Sequence, residues 1–420
     1  MSEAKPTRSP SSPTTPAHRE HSRISVPRLL AGSIAMTAIA AGLLLGRRLA
    51  GPDAAELTRR AEADLQANRW RAAEDDIRGL AALRPLTPKD RFLQARIEIG
   101  AGQSEKALEI LSGLVDEPDL GAQALYLAGL IERRRNRLRF AEAAYRQAID
   151  RDPRLIGARR ELIYILGMQS RRGELDTAFH EMARIVPLNQ YDMYIWCLTH
   201  FVNWGTESAE DLKPFLEADP DDRETRLAMA RLLLASPGQE GRVDELLRPL
   251  AAEDPAVLAF RAEQDLNRGR LAEALQRLES TKSEDPMLER LRARIALRRG
   301  DREAAVRHFR RALSEAPYDR VSTSELGKAL ILQGDRSSAQ AYIDQSHRLD
   351  EVYNLVTRIG KPDEPVVSVA DLKRMAHACE VAGLSAEARG WYQLAIDRDV
   401  FDQEAQQGLH RLREAEAPKG

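Results

Sequence analysis

Residues 124–153 read ALYLAGLIERRRNRLRFAEAAYRQAIDRDP, a pattern typical of two helices joined by a turn. Apolar residues recur at helical spacing on both sides of Asn136, and asparagine is common at helix ends. Gly129 in the first helix and Ala141 in the second would let the two backbones approach closely, while Tyr145 would fill the seam between units. One such hairpin buries too little apolar surface to be stable alone, so we expect its neighbours to repeat it.

The neighbouring sequence repeats this hairpin, with a period of 34 residues at most steps. The position equivalent to Ala141 is occupied in turn by Ala73, Ala107, Ala141, Leu175, Ala209, Val243, Ala274, Ala305, Ala339 and Ala388. The turn before the second helix carries Asn68, Gly102, Asn136, Gly173, Gly269, Gly300, Gly334 and Gly383. Asparagine and glycine tolerate the left-handed conformation that a helix end requires. The period therefore predicts an all-α solenoid of about ten hairpins rather than one compact core.

This pattern resembles the tetratricopeptide repeat (TPR) family, whose 34-residue unit is a helix-turn-helix with small residues at fixed positions. The resemblance implies a TPR-like helical-hairpin solenoid, wound as a right-handed superhelix, that binds partner proteins or peptides along its concave face. We expect the array to cover residues 54–350 and to be irregular at 188–240. Residues 351–369 are predicted to form a helical elbow or linker, and residues 370–415 a final repeat and capping helix.

The N-terminal region contains the only long apolar run of the chain. Residues 1–27 are rich in Ser, Pro and Thr, which predicts a disordered tail. Residues 29–46 (LLAGSIAMTAIAAGLLLG) carry no charge, and at 1.5 Å per residue they would cover roughly 27 Å of bilayer. We therefore predict one transmembrane helix at residues 28–48. A cleaved signal peptide is the alternative, but the arginines that follow the run argue against a cleavage site.

The orientation of this predicted anchor is weakly specified, because arginines flank it on both sides. The basic tail favours an N-terminus inside the cytoplasm and a repeat domain outside it. Within the span, Ala38, Gly42 and Gly46 form a row of small residues that would let two anchors pack as a homodimer. A passive anchor is the alternative, because such rows are frequent in spans rich in Ala and Gly.

Composition and motifs argue against nucleic-acid binding and against catalysis. The net charge is only −2 although 30% of the residues are charged, so no overall attraction to nucleic acid is implied. Gly327-Lys328 lacks the rest of a phosphate-binding loop, and no nucleophile elbow or paired-cysteine motif occurs. We predict no enzyme activity, no cofactor and no metal, and expect a protein-interaction scaffold. The alternative is a regulatory or docking subunit of an enzyme or envelope-assembly complex encoded elsewhere.

Basic residues on first helices are the main candidates for partner binding. In the family that the chain resembles, first helices line the concave groove, and counting along the repeat places seven basic residues there. They are Arg96, Arg133, Arg160, Arg290, Arg294, Lys328 and Lys373. Guanidinium groups form forked hydrogen bonds with carboxylates, so this groove would suit acidic partners. The alternative is a generic solvated face, since Lys and Arg are common on exposed helices.

A second candidate is an aromatic patch in the irregular segment. Its members are Tyr191, Tyr194, Trp196, Phe201 and Trp204. They could form a peptide or ligand pocket, but bulky side chains would also fill the space left where the repeat lacks small residues. Cys197 and His200 lie one helical turn apart and could supply two metal ligands, although no further ligand is evident in the sequence.

Overall fold

A computed structural model describes residues 52–201, 208–236, 238–359 and 367–416. Throughout these ranges the regular structure is α-helical. The helices are α1 Ala54–Gln66, α2 Trp70–Leu83, α3 Pro88–Gly100, α4 Ser104–Ser112, α5 Gly121–Arg134, α6 Leu138–Arg151, α7 Ile156–Met168, α8 Arg172–Ala183, α9 Gln190–Thr199, α10 Ala209–Ala218, α11 Arg223–Leu234, α12 Glu240–Leu247, α13 Pro255–Asn267, α14 Leu271–Glu279, α15 Pro286–Arg298, α16 Arg302–Glu315, α17 Arg320–Gln333, α18 Arg336–Ile359, α19 Val369–Ala382, α20 Ser385–Arg398 and α21 Gln403–Glu416.

Most consecutive helices pack against each other as hairpins, which confirms the predicted helical-repeat solenoid; the pairs α9–α10 and α12–α13 are the exceptions. Seven of the eight predicted turn residues adopt positive φ angles, from 57° at Asn68 to 94° at Gly334. The prediction for Gly173 is wrong, because Gly173 lies inside α8 and Ser170 takes the left-handed conformation instead, with φ 54°.

The α5–α6 hairpin shows the packing expected from residues 124–153. Ala141 and Tyr145 are fully buried. A Cβ atom built on Gly129 would lie 2.4 Å from the Tyr145 ring, so only glycine allows the ring to sit against the helix. The same arrangement recurs at the C-terminal end, where a Cβ atom on Gly408 would lie 2.3 Å from the Tyr392 ring. Close helix contact through small residues is therefore a repeated feature of the solenoid.

The regular stacking order changes after α8. The turn between α7 and α8 packs against α11: the Gln169 side-chain amide donates to the Thr225 hydroxyl at 3.2 Å, and the Arg231 guanidinium donates to the Ser170 carbonyl at 3.1 Å. Met168 joins Leu227 in the same apolar cluster. The α7–α8 turn is thus followed directly by α11 in the stack of repeats, and α9 packs elsewhere.

Helix α9 packs against α8 on one side and against α18 and α20, from the C-terminal part of the chain, on the other. One apolar cluster joins residues 125–198 to residues 349–412. The Sγ atoms of Cys197 and Cys379 lie 3.9 Å apart, and Trp391 Nε1 donates to Cys197 Sγ at 3.1 Å. Helices α7–α20 consequently form a closed circuit of contacts, which we call the helical ring. Helices α1–α4 form an N-terminal arm, and α5–α6 connect the two.

The predicted N-terminal tail and transmembrane helix, residues 1–48, lie outside the described residues. Among the residues that the structure describes, no helix is long and apolar enough to cross a bilayer. Of the predicted elbow at 351–369, residues 351–359 form the end of the 24-residue helix α18, and residues 360–366 also lie outside the described ranges.

Candidate functional site

The helical ring lines an open cavity of about 770 Å³. The cavity is lined by the start of α8, the end of α9, the inward faces of α11, α13 and α15, and the turn between α16 and α17. Because these elements belong to several successive repeats, the cavity is a concave surface shared by the ring. Its size is within the range of ligand-binding pockets.

Three arginines face this cavity from different helices: Arg172 from α8, Arg231 from α11 and Arg290 from α15. Arg172 donates to the Phe201 carbonyl at 3.4 Å, and Arg290 lies 3.4 Å from the Asp319 carboxylate. Enclosure by the surrounding helices, with the charge of Arg231 nearby, lowers the pKa of Arg172 to about 10. Burial also lowers the pKa of Arg231. The cavity wall therefore carries arginines from three different helices.

Carboxylates alternate with these arginines around the cavity wall. Asp285 and Asp319 cap the N-termini of α15 and α17, where their oxygens accept hydrogen bonds from backbone N–H groups. Glu263 lies 3.6 Å from the Arg294 guanidinium. The cavity wall therefore carries both anion-binding groups and hydrogen-bond acceptors.

Five of the seven predicted groove residues are paired with carboxylates on adjacent units. The closest approaches are Arg133–Glu161 at 2.7 Å, Arg160–Asp192 at 2.9 Å, Arg290–Asp319 at 3.4 Å, Arg294–Glu263 at 3.6 Å and Lys373–Glu404 at 2.7 Å. Arg96 and Lys328 are exposed. Of the seven, the structure brings Arg290 to the cavity wall. Because most of these cations link one repeat to the next, their role in partner binding stays a prediction.

The predicted aromatic patch is divided between different environments. Trp196 is fully buried, stacks on Phe179 with ring centroids 5.9 Å apart, and donates from Nε1 to Asp176 at 2.7 Å. Tyr191 is 62% exposed, whereas Phe201 packs against the Tyr353 ring. Trp204 lies outside the described residues. Trp196 thus fills the core where the repeat lacks small residues, and the described aromatics share no single surface.

Sequence reasoning missed Arg172 and Arg231 as cavity residues. Arg172 begins a second helix, so counting along first helices could not place it on the concave side. Arg231 lies on a first helix, but in the segment where the repeat pattern is weakest. Only the contact between the α7–α8 turn and α11 brings the two side chains to one cavity.

Several solved structures of helical-repeat proteins are similar to this chain. No family model and no curated protein matches the chain. Among solved structures, a tetratricopeptide repeat protein from Parabacteroides merdae is 20% identical, covering 58% of this chain and 98% of that one, with a TM-score of 0.28. The Cut9–Hcn1 hetero-tetramer of the APC/C is 13% identical over 86% of this chain and 90% of that one, with a TM-score of 0.32. The TPR domain of P58(IPK) is 15% identical over 86% and 98%, with a TM-score of 0.25.

The helical hairpins of the described residues agree with the predicted resemblance to tetratricopeptide repeat proteins, and such proteins are among the solved structures to which the chain is similar. At these identities and TM-scores the likeness concerns the kind of fold alone. The class is defined by the hairpins themselves: an all-α repeat solenoid in which small residues allow close helix packing.

Proposed function

We propose that this protein is a membrane-anchored scaffold that holds a partner protein or peptide inside the helical ring. The observation that carries the proposal is the placement of Arg172, Arg231 and Arg290 around one cavity that several repeats build together. A ligand whose carboxylates lie between these guanidinium groups would form favourable ion pairs with them. No step of this function requires bond making or breaking by the protein itself.

An acidic peptide is the occupant that the cavity chemistry favours. Carboxylate side chains or a C-terminal carboxylate would contact the arginines, and peptide N–H groups would donate to the acids on the wall. A polyphosphate or nucleic acid offers many negative charges but few donors, and the wall carboxylates would repel it.

In this proposal the scaffold works by attaching its partner to a membrane through the predicted anchor, residues 29–46. Confining the ring to one membrane raises the effective concentration of a captured partner at that surface. We further propose that the ring lies outside the cytoplasm, on the basis of the basic tail that precedes the anchor. Protease digestion of sealed vesicles tests this orientation, because a cytoplasmic ring would be cleaved in inside-out vesicles.

In-cell crosslinking followed by purification and mass spectrometry tests the function. The full-length protein is compared with an Arg172→Gln/Arg290→Gln variant and with the matched control Arg71→Gln/Lys106→Gln, whose positions are exposed and away from the cavity. We expect partner recovery to fall at least about tenfold in the cavity variant, one decade corresponding to 1.4 kcal/mol of binding free energy. The control should recover the wild-type amount.

Equal recovery by the cavity variant and the control, at equal melting temperature, would contradict the proposed site. If the recovered partner is an enzyme whose turnover falls when this protein is removed, the scaffold acts as a docking subunit, the alternative that the sequence left open.

A further inference from the structure

A cluster of potential metal ligands lies where the helical ring closes. Asp176 and His180 are one turn apart on α8, and Glu387 reaches them from α20. One ligand atom from each of these residues lies within 4.8 Å of the other two. Atoms bound to one metal ion at about 2.1 Å must lie within about 4.2 Å of each other, so this spacing approaches a coordination sphere.

We propose that Asp176, His180 and Glu387 bind one divalent transition-metal ion, of the zinc class, that ties α8 to α20. A set of one imidazole and two carboxylates suits Zn²⁺ or a similar ion, whereas Mg²⁺ and Ca²⁺ prefer oxygen ligands throughout. Three protein ligands leave at least one coordination position for water or for a partner group, as in open zinc sites.

Neighbouring side chains hold these ligands by hydrogen bonds, as they do around bound metal ions. Trp196 Nε1 donates to Asp176 Oδ1 at 2.7 Å, and His200 Nε2 lies 2.6 Å from Glu387 Oε1. His180 packs edge-on against the Trp196 ring, with centroids 4.7 Å apart. Ligating carboxylates are generally held by such hydrogen bonds, because they fix the direction of the lone pairs.

Charge and access also favour a cation at this place. Glu387 is 2% exposed and Asp176 lies 3.8 Å from the same His200 nitrogen, so two carboxylates converge on one partly buried region. Although burial disfavours its charged form, the hydrogen bond to Glu387 raises the pKa of His200, so this imidazole offsets part of that negative charge, and a metal ion at His180 would compensate the rest. The side chain of His180 is 40% exposed, which leaves a route for an ion from solvent.

The site borders the central cavity, because Asp176 lines the cavity wall. An ion bound there would leave its open coordination position near the space where we place the partner peptide. Metal binding does not depend on that peptide, so it can be measured on the protein alone.

Metal titration of the full-length protein in detergent tests the proposal. After EDTA treatment and dialysis, Zn²⁺ is added and followed by calorimetry, and Co²⁺ is used in parallel for its visible absorption. We expect one equivalent to bind with a dissociation constant at or below about 1 μM, and the melting temperature to rise by several degrees. His180→Ala should weaken binding at least about a hundredfold.

His308→Ala is the matched control. His308 also contacts a buried glutamate, with Nδ1 2.7 Å from Glu289 Oε2, but lies outside the Asp176 cluster. Its replacement should leave Zn²⁺ affinity unchanged. Less than 0.2 equivalents bound at about 10 μM Zn²⁺, or equal affinity in the His180→Ala variant, would overturn the proposal. Asp176→Asn provides a second ligand variant, and it should lose affinity while retaining the circular dichroism spectrum of the wild type.

Discussion

The N-terminal arm and the helical ring are built from the same hairpin, yet they are held together differently. In the arm, the apolar clusters join neighbouring hairpins, spanning residues 57–97 and 95–131. In the ring, one cluster joins residues that are far apart in the sequence, and the Cys197–Cys379 contact spans 182 positions. The arm should therefore open one hairpin at a time, while the ring should open as a unit.

The largest expected effect comes from breaking the ring closure with Trp391→Ala. Trp391 is fully buried against α9, and removing a buried tryptophan costs about 3–5 kcal/mol. We expect hydrogen exchange to accelerate throughout the ring helices α7–α20 while α1–α4 keep wild-type protection. Mass spectrometry of exchanging peptides measures both regions in one experiment.

Leu80→Ala in the arm is the comparison for that variant. Leu80 is also fully buried, and its truncation costs about 2–5 kcal/mol. Faster exchange should be confined to α1–α4. If either variant instead loosens both regions equally, the arm and the ring are one cooperative unit and the distinction is wrong.

A smaller effect is expected from Gly129→Ala, which tests the packing shared by both regions. The new Cβ atom would lie 2.4 Å from the Tyr145 ring, so overpacking should destabilise the protein by about 1–3 kcal/mol. Gly241→Ala is the control, because a Cβ atom there meets nothing within 4 Å and the glycine lies inside α12. That change should stabilise by about 0.4–1 kcal/mol. Thermal unfolding that shifts in the same direction for both variants would contradict this account.

The smallest effect is expected from Lys373→Gln, which removes one link between repeats. Lys373 Nζ lies 2.9 Å from Asp402 and 2.7 Å from Glu404. The hydrogen bonds that Lys373 donates to Glu404 and Asp402 raise the pKa of Lys373. Pairs near the surface contribute only about 0.2–1 kcal/mol, so the melting temperature should fall by no more than a few degrees. A loss of several kcal/mol in denaturant unfolding would show that the inter-repeat ion pairs stabilise far more than this.

The sequence predicts what one hairpin specifies by itself. The close contact of Gly129 with Tyr145 and the left-handed turn at Asn136 follow from residue size and backbone preference within one repeat. Ring closure does not follow from the residues of one repeat, because α9 meets α19 and α20 through residues nearly two hundred positions away. No periodic signal encodes that contact. The same limit explains why Asp176, His180 and Glu387 could not be grouped from the sequence.

The predicted groove residues show a second limit of what the sequence of one repeat can predict. Counting along the repeat identified basic residues on first helices, but it could not show that carboxylates of adjacent units would lie beside them. Arg133 and Arg160 are examples, because Glu161 and Asp192 belong to the following repeats. Pairing between units depends on their relative rotation, which the superhelix sets and a single repeat does not.

The closed ring also constrains how the chain can fold during synthesis. The ribosome has finished α9 once residue 199 is added, but Trp391, which covers one face of α9, is added 192 residues later. At about 5–20 residues per second, this face stays uncovered for roughly 10–40 s on the ribosome. Cys197 and the surrounding apolar side chains are exposed during that interval. A chaperone or a neighbouring nascent chain therefore has its best opportunity to bind before the last repeats emerge.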